Sequence, residues 1–359
     1  MNEHPYKALP DYAFWSRSVA RPAASEVDPV VSAKFKITRG HRVATAGSCF
    51  AQHISRELAN AGFNYFVTET VHPAFEQTAA GFNYGTFTAR YGNIYTARQL
   101  LQLLLRAYGQ FAPVDDVWLE AEGRYKDPFR PEIQPNGFAS LAEFRADREQ
   151  HFAAVRRAVE EMDLLAFTLG LTEAWQDNDG AIYPLCPGVS GGTYDPERHS
   201  FVNFNVDEVA TDLLEAITFI KARNPKARFV ITVSPVPLIA TYEPRSVMVS
   251  TTYSKAVLRV AAEQVCASSP DIAYFPSYEV ITGPYSRGAY FADDLRSVTD
   301  EGVAHVMRLF FRHYTDSDER KMATDRKVAS GLDDAARAHR VAMRKMAAII
   351  CDEERLEQP

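Results

Sequence analysis

The chain has 359 residues, 46% of them hydrophobic and 24% charged, a globular composition that excludes disordered, collagenous and coiled-coil chains. With 39 basic against 46 acidic residues the net charge is −7. That argues against nucleic acid or anionic membranes as partners, because both need a basic face. The length supports a sizeable core without disulfides or metals, as two domains or as one large α/β domain with insertions.

The chain opens on MNEHPYKALPDYAFWSRS, in which no basic stretch precedes an apolar core, so no signal peptide is expected. No run approaches the roughly 18 apolar residues of a membrane span. Residues 1–40 hold several prolines and no clear period, and read as an irregular extension. Arg42–Ala46 is the first strand, ending at Gly47-Ser48-Cys49. Phe50, Ile54 and Leu58 then fall in helical register, with Gly62 as the stop. Phe63–Val67 reads as a second short strand. Residues 68–139, rich in Gly, Pro, Asn and aromatics, read as an insertion with one helix at about 97–108.

Ser140 with Glu143 forms a capping-box signal that opens a helix to about Glu161. The apolar run Leu164–Leu169 is a buried strand leading into Gly170-Leu171-Thr172-Glu173. Residues 176–206 read as a second long loop. A helix at about 207–222 ends at Asn224-Pro225, and Arg228–Val233 is a buried strand closed by Ser234-Pro235-Val236-Pro237. A helix at about 253–267, the strand Ile272–Phe275 and a helix at about 299–313 follow. The segment 316–359 is a charged helical tail.

Strands at about 42–46, 63–67, 163–169, 228–233 and 272–275 fit one parallel sheet of order 2-1-3-4-5 with helices on both faces. That is a three-layer α/β/α, flavodoxin-like domain over 41–315, with insertions at about 68–139 and 176–206. Chemistry in such a sheet collects at the carboxyl ends of the strands. Three motifs fall there: Gly47-Ser48-Cys49, Gly170-Leu171-Thr172-Glu173 and Ser234-Pro235-Val236-Pro237.

A glycine at a strand-to-helix turn presents the next side chains at a helix N-terminus. The free amides and helix dipole there depress a thiol's pKa and hold an oxyanion. Cys49 is therefore a candidate thiolate nucleophile, and Ser48 a candidate helix cap. The four cysteines, at 49, 186, 266 and 351, are too far apart for a zinc or dithiol site. They read as thiols of a reducing compartment, so the expected location is cytoplasmic. No metal and no cofactor is expected, since no phosphate loop and no HExxH occurs.

Seven blocks carry a resemblance. ATAGSCFAQHI (44–54), FTARYGNIYTARQL (87–100), TLGLTEAW (168–175), HSFVNFNVDEV (199–209), TVSPVPL (232–238), TTYSKAVL (251–258) and YFPSYEV (274–280) are similar to blocks of the GSCFA family, over about 40–314. That family is grouped with the SGNH, or GDSL-like, hydrolases. The resemblance implies ester hydrolysis or acyl transfer on O-acyl groups of a small molecule or carbohydrate.

Laid over the SGNH first block, Gly-Asp-Ser, the motif puts Cys49 at the nucleophile position and Ser48 at the Asp position. A shift of one residue makes Ser48 the alternative nucleophile. The second block's oxyanion glycine corresponds to the stretch Gly85 to Asn93, with Gly85, Gly92 and Asn93 open. In the third block Thr172 stands in place of an oxyanion-binding Asn, and Glu173 is a candidate acid or base. The last block, Asp-x-x-His, corresponds to Asp294-Leu295-Arg296-Ser297, with the carboxylate present and Ser297 in place of the His.

Among the nine histidines, His72 and His199 are the candidate bases, with Asp294 or Glu173 acting through water as alternatives. His53 lies just over one helical turn past Cys49, and His305 reads as structural. Ser254-Lys255 reads as an ordinary first helical turn. Arg287 and Arg296 are placed to bind an anionic substrate or to face solvent. The missing Asp-x-x-His keeps a second expectation open: a catalytically degenerate member that binds an acylated or glycan ligand.

Overall fold

The computed structural model describes residues 4–72, 79–316 and 352–357. Residues 4–42 form only single turns, and of them Val27 and Ile37 are buried. The first strand, β1 (Val43–Gly47), is buried along its whole length. After Ser48 alone the chain enters α1 (Cys49–Asn60), which turns Phe50, Ile54 and Leu58 inward. The insertion carries α2 (Ala97–Ala107), fixed by a capping box in which Thr96 and Gln99 satisfy each other's amides, and the ribbon of β2 (Trp118–Leu119) with β3 (Tyr125–Lys126).

Next comes α3 (Leu141–Glu161), capped by the Ser140 hydroxyl accepting the Glu143 amide. The chain continues through β4 (Leu164–Leu169), β5 (Glu173–Asp177), β6 (Ile182–Tyr183), β7 (His199–Asn203), α4 (Val206–Lys221), β8 (Arg228–Val233), α5 (Val247–Ala267), β9 (Ile272–Tyr274), α6 (Ser277–Thr282) and α7 (Asp300–Tyr314).

The central sheet is parallel and four-stranded, in the order β1-β4-β8-β9. Its side chains alternate between two cores. Leu165, Phe167 and Leu169 of β4 join Leu101, Leu213 and Leu258 from α2, α4 and α5. Leu164, with Val43 and Val230, joins Phe50, Ile281 and Phe310 from α1, α6 and α7. Burial on both faces explains why these strands read as continuous apolar runs. In register, Gly47 stands opposite Thr168 and Thr168 opposite Thr232, so the carboxyl ends lie side by side.

Two expectations need correction. The predicted strand 63–67 shrinks to a single bridge, Val43 with Tyr65. The insertion is the reason: Thr88 Oγ1 accepts the Thr45 amide, and the Thr88 carbonyl accepts the Thr68 amide, so residues 87–91 occupy the edge of β1 that a fifth strand would need. The predicted loop 176–206 holds strands instead. β6 and β7 flank β5 in an antiparallel sheet, β6-β5-β7. The turn between β5 and β6 contains Asp179-Gly180, with Gly180 at φ +81, a hairpin signal.

The insertion is tied down by buried charge. Arg90 meets Glu69 at 3.4 Å and Asp147 at 2.8 Å, and Arg130 meets Asp127 at 2.8 Å and Asp147 at 2.5 Å. Most of the predicted tail helix lies outside the described residues, as does Cys351. The described part, 352–357, is a short 3-10 turn that packs onto the carboxyl end of the sheet.

Candidate active site

Gly47 closes β1 at φ +135, and a Cβ there would lie 2.3 Å from the Thr168 carbonyl oxygen. Only glycine lets β1 run this close to β4 and still turn into a helix at once. Ser48 follows with extended backbone, its amide bonded to Thr168 O at 3.2 Å. Its side chain does not cap α1. The hydroxyl is buried without a hydrogen-bond partner among the described residues, and its Cβ would be 3.0 Å from a Cβ built on Gly170. Cys49 is the first residue of α1, buried at 3% exposure, where helix-start amides and dipole favour a negative atom.

The group facing this turn is a lysine. Lys255, 2% exposed on α5, donates from Nζ to the Gly170 carbonyl at 2.6 Å. Burial lowers its pKa from 10.5 to about 8, while the charges of Glu353 and Cys49 pull it back up and Arg296 pushes it down. Cys49, Lys255, Arg296 and Glu353 therefore form one electrostatic cluster. Ser254, beside Lys255, accepts the Thr172 amide at 3.0 Å and ties α5 to the end of β4.

Asn93 reaches the same place. The loop before α2 runs along the strand ends, with the Ile94 amide on Gly47 O at 2.8 Å and the Gly170 amide on Tyr95 O at 2.9 Å. Asn93 Oδ1 accepts from Gln52 of α1 at 3.0 Å, which orients its Nδ2 toward the carboxylate of Asp352 at 2.9 Å. Arg296, 9% exposed, donates to Glu353 at 3.0 Å and to the Pro237 carbonyl at 3.1 Å. Burial pushes Asp352 up to about 7 against the stabilising bond from Asn93. Burial also raises Glu353, opposed by Arg296 and Lys255.

Beside this polar floor lies a cavity of about 440 Å³. Trp175, Tyr194, Phe201 and Tyr242 wall it, and Glu173, Glu353 and Leu356 stand at its edge. Trp175 packs edge-on against Tyr242 at 4.8 Å and against Tyr194 at 5.3 Å.

The predicted residues divide. Ser48, Cys49 and Asn93 come together here. Thr172 sits at the strand end, but its hydroxyl donates to Asn203 Oδ1 at 2.7 Å, so its proton is committed to joining β7. Glu173 is at the cavity, held by the Thr241 hydroxyl at 2.6 Å and raised in pKa by burial. Gly85 is exposed, with open space around it.

Asp294 is exposed, and its carboxylate accepts the Ser297 hydroxyl and the amides of Arg296 and Ser297. It shapes the turn that delivers Arg296. His72 is exposed on the chain. His199 pairs with Asp177, the far end of the strand pair whose near end is Glu173 with Asn203. Four residues of strand put it about 13 Å from that near end. His53 points to Arg56 at 3.0 Å, and burial depresses its pKa to about 4.

His199 also stands with Asp115 and Asp177 in a group spaced for a metal ion. The donor chemistry does not fit. His199 Nδ1 accepts the Asp195 amide at 3.0 Å, which leaves the proton on Nε2, and Arg198 bridges both carboxylates at 3.1 Å.

Ser254-Lys255 is not the first helical turn that the sequence suggests: α5 starts at Val247, and Lys255 stands inside it, three and seven residues before Leu258 and Ala262, both fully buried. That spacing places it on the inward stripe of α5. Asp352 and Glu353 gave no local signal.

The GSCFA family model matches residues 42–310. That range is most of the chain, so the chain belongs to the GSCFA family. No curated protein matches it. No helix among the described residues is long and apolar enough to cross a membrane.

Proposed function

We propose that this GSCFA-family chain is an SGNH-type hydrolase or acyltransferase acting on O-acyl esters, with Cys49 as nucleophile and Lys255 as proton carrier. The observation that carries the reading is the buried lysine of lowered pKa beside a cysteine at a helix N-terminus, where the superfamily's serine would stand. The bridge at Tyr65 on the edge of β1 supports the flavodoxin-like order, with its fifth strand reduced.

The chemistry balances without an imidazole. Neutral Lys255 takes the Sγ proton of Cys49, and the thiolate bonds to the acyl carbon. The carbonyl oxygen takes the electron pair and faces Asn93 Nδ2 and the helix-start amides. As the C–O bond breaks, Lys255 returns the proton to the leaving oxygen, leaving a thioester. Water then gives hydrolysis, or an acceptor hydroxyl gives transfer. The aromatic walls of the 440 Å³ cavity suit the face of a sugar or an acyl chain. Cys186 and Cys266 are thiols without a disulfide partner among the described residues, which supports a reducing compartment such as the cytoplasm.

The experiment is a burst assay with p-nitrophenyl acetate on wild type, Cys49→Ala and Ser48→Ala. The proposal expects a burst in wild type and Ser48→Ala but not in Cys49→Ala. If all three behave alike, the motif holds no nucleophile, and the second reading stands: a protein that binds acylated or glycan ligands without turnover.

A further inference from the structure

Of the described residues 352–357, Asp352, Glu353, Glu354 and Leu356 reach the groups at the carboxyl end of the sheet. Asp352 is 7% exposed and places a carboxylate oxygen 2.9 Å from Asn93 Nδ2, the donor that the proposed reaction aims at an oxyanion. Glu353 is 8% exposed and pairs with Arg296 at 3.0 Å, with Lys255 acting on it electrostatically. Glu354 stands 3.7 Å from the same guanidinium. Leu356 lines the mouth of the aromatic cavity. Arg355 points the other way, to Glu132 of the insertion at 2.6 Å.

An acid on the oxyanion donor, an acid on the cation pair and an apolar side chain at the cavity together resemble a bound ligand. We propose that Asp352–Glu357 is an internal occupant of the cleft, and that the ligand which replaces it carries a carboxylate for Arg296 and Lys255 and an apolar or sugar portion for the cavity.

The physical case is the cost of burying these charges. A buried carboxylate is tolerated where hydrogen bonds and opposite charge are already arranged for it. Arg296 and Lys255 bring two buried cations to one spot, and the Asp294 turn holds Arg296 there. With the segment seated, Glu353 answers both cations. With it released, they face the cleft as an anion subsite. Glu173 limits the subsite on the cavity side, since its carboxylate raises the pKa of Glu353. The naming of the ligand class rests on the cleft being the substrate site. The occupancy itself does not rest on turnover.

The test reads access to Cys49 rather than catalysis. Iodoacetamide labelling of the full chain is followed residue by residue by peptide mass, with Cys266 as the internal reference because it lies on the inner side of α5, away from the segment. Arg355→Glu breaks the outer latch by setting two acids against each other, and should speed labelling of Cys49 several-fold with Cys266 unchanged. Arg355→Glu with Glu132→Arg restores opposite charges and should return Cys49 to the wild-type rate.

In the Arg355→Glu chain, succinate should slow Cys49 labelling in a saturable way, and in Arg355→Glu with Arg296→Gln that protection should be lost. An unchanged Cys49 rate in Arg355→Glu, or a rise shared by Cys266, overturns the occupancy. Faster labelling without succinate protection overturns the carboxylate subsite. Neither outcome depends on the burst assay, so the segment and the acyl chemistry fail separately.

Discussion

Replacing Lys255 perturbs the proposed chemistry most sharply. A lysine with the ordinary pKa of 10.5 is about 0.1% free amine at pH 7.5, whereas one lowered to about 8 is about 24% free amine. Burial of Lys255 thus raises the supply of base at neutral pH by on the order of 10²-fold. Burial without such a partner pushes the Cys186 thiol up to about 11. Lys255→Met keeps the length and removes the amine. Lys255→Arg keeps the charge and cannot accept a proton at this pH.

The assay is the rate of acetyl capture from p-nitrophenyl acetate, by rapid quench and intact mass, from about pH 6 to about pH 9. Wild type should rise about tenfold per pH unit and level near pH 8. Both variants should fall by on the order of 10²-fold at pH 7.5 and lose that plateau. Wild-type rates in Lys255→Met would refute the proton-carrier role, and wild-type rates in Lys255→Arg alone would reduce it to a fixed charge.

Gly47→Ala should cost about 3–5 kcal/mol, because its Cβ would meet Thr168 O at 2.3 Å and φ +135 is strained for any side chain. Calorimetry should show Tm lowered by about 5 °C, and an unchanged Tm would mean that the turn is not this tight. The insertion should loosen in acid. Burial alone would raise Glu69, but His151 and Arg130 bring it down from 4.5 to about 2. A folded-state value below the unfolded one means that stability is present above pH 4.5 and lost as pH falls toward 2, by about 3 kcal/mol. Denaturant melts at stepped pH should show that slope in wild type and a flatter one in Glu69→Gln.

The central sheet is legible in the sequence because its strands are buried on both faces and so spell nearly continuous apolar runs, as Leu164–Leu169 does with Thr168 as its one polar residue. The bend at Gly47-Ser48-Cys49 was legible for a related reason, since a glycine between a strand and an amphipathic register has few other uses. What escaped depends on contacts between segments far apart in sequence. Nothing near Phe63–Val67 announces that Thr88 takes that strand's place on the edge of β1. The spacing of Lys255 puts it on the inward stripe of α5, but only the fold sets Gly170 and Glu353 around it. The SGNH resemblance implies a histidine base. His199 looked available, yet the pairing of β5 with β7 carries it to the far end of its hairpin. Asp294 held its place, but its work is to bend the chain that aims Arg296.

The proposed chemistry is decided by where an acyl group lands. After a brief exposure to p-nitrophenyl acetate, peptide mapping should find the acetyl group on Cys49, released by neutral hydroxylamine as a thioester must be. An acetyl group fixed on Lys255 as a hydroxylamine-stable amide, or none on the peptide that holds Gly47-Ser48-Cys49, would contradict it.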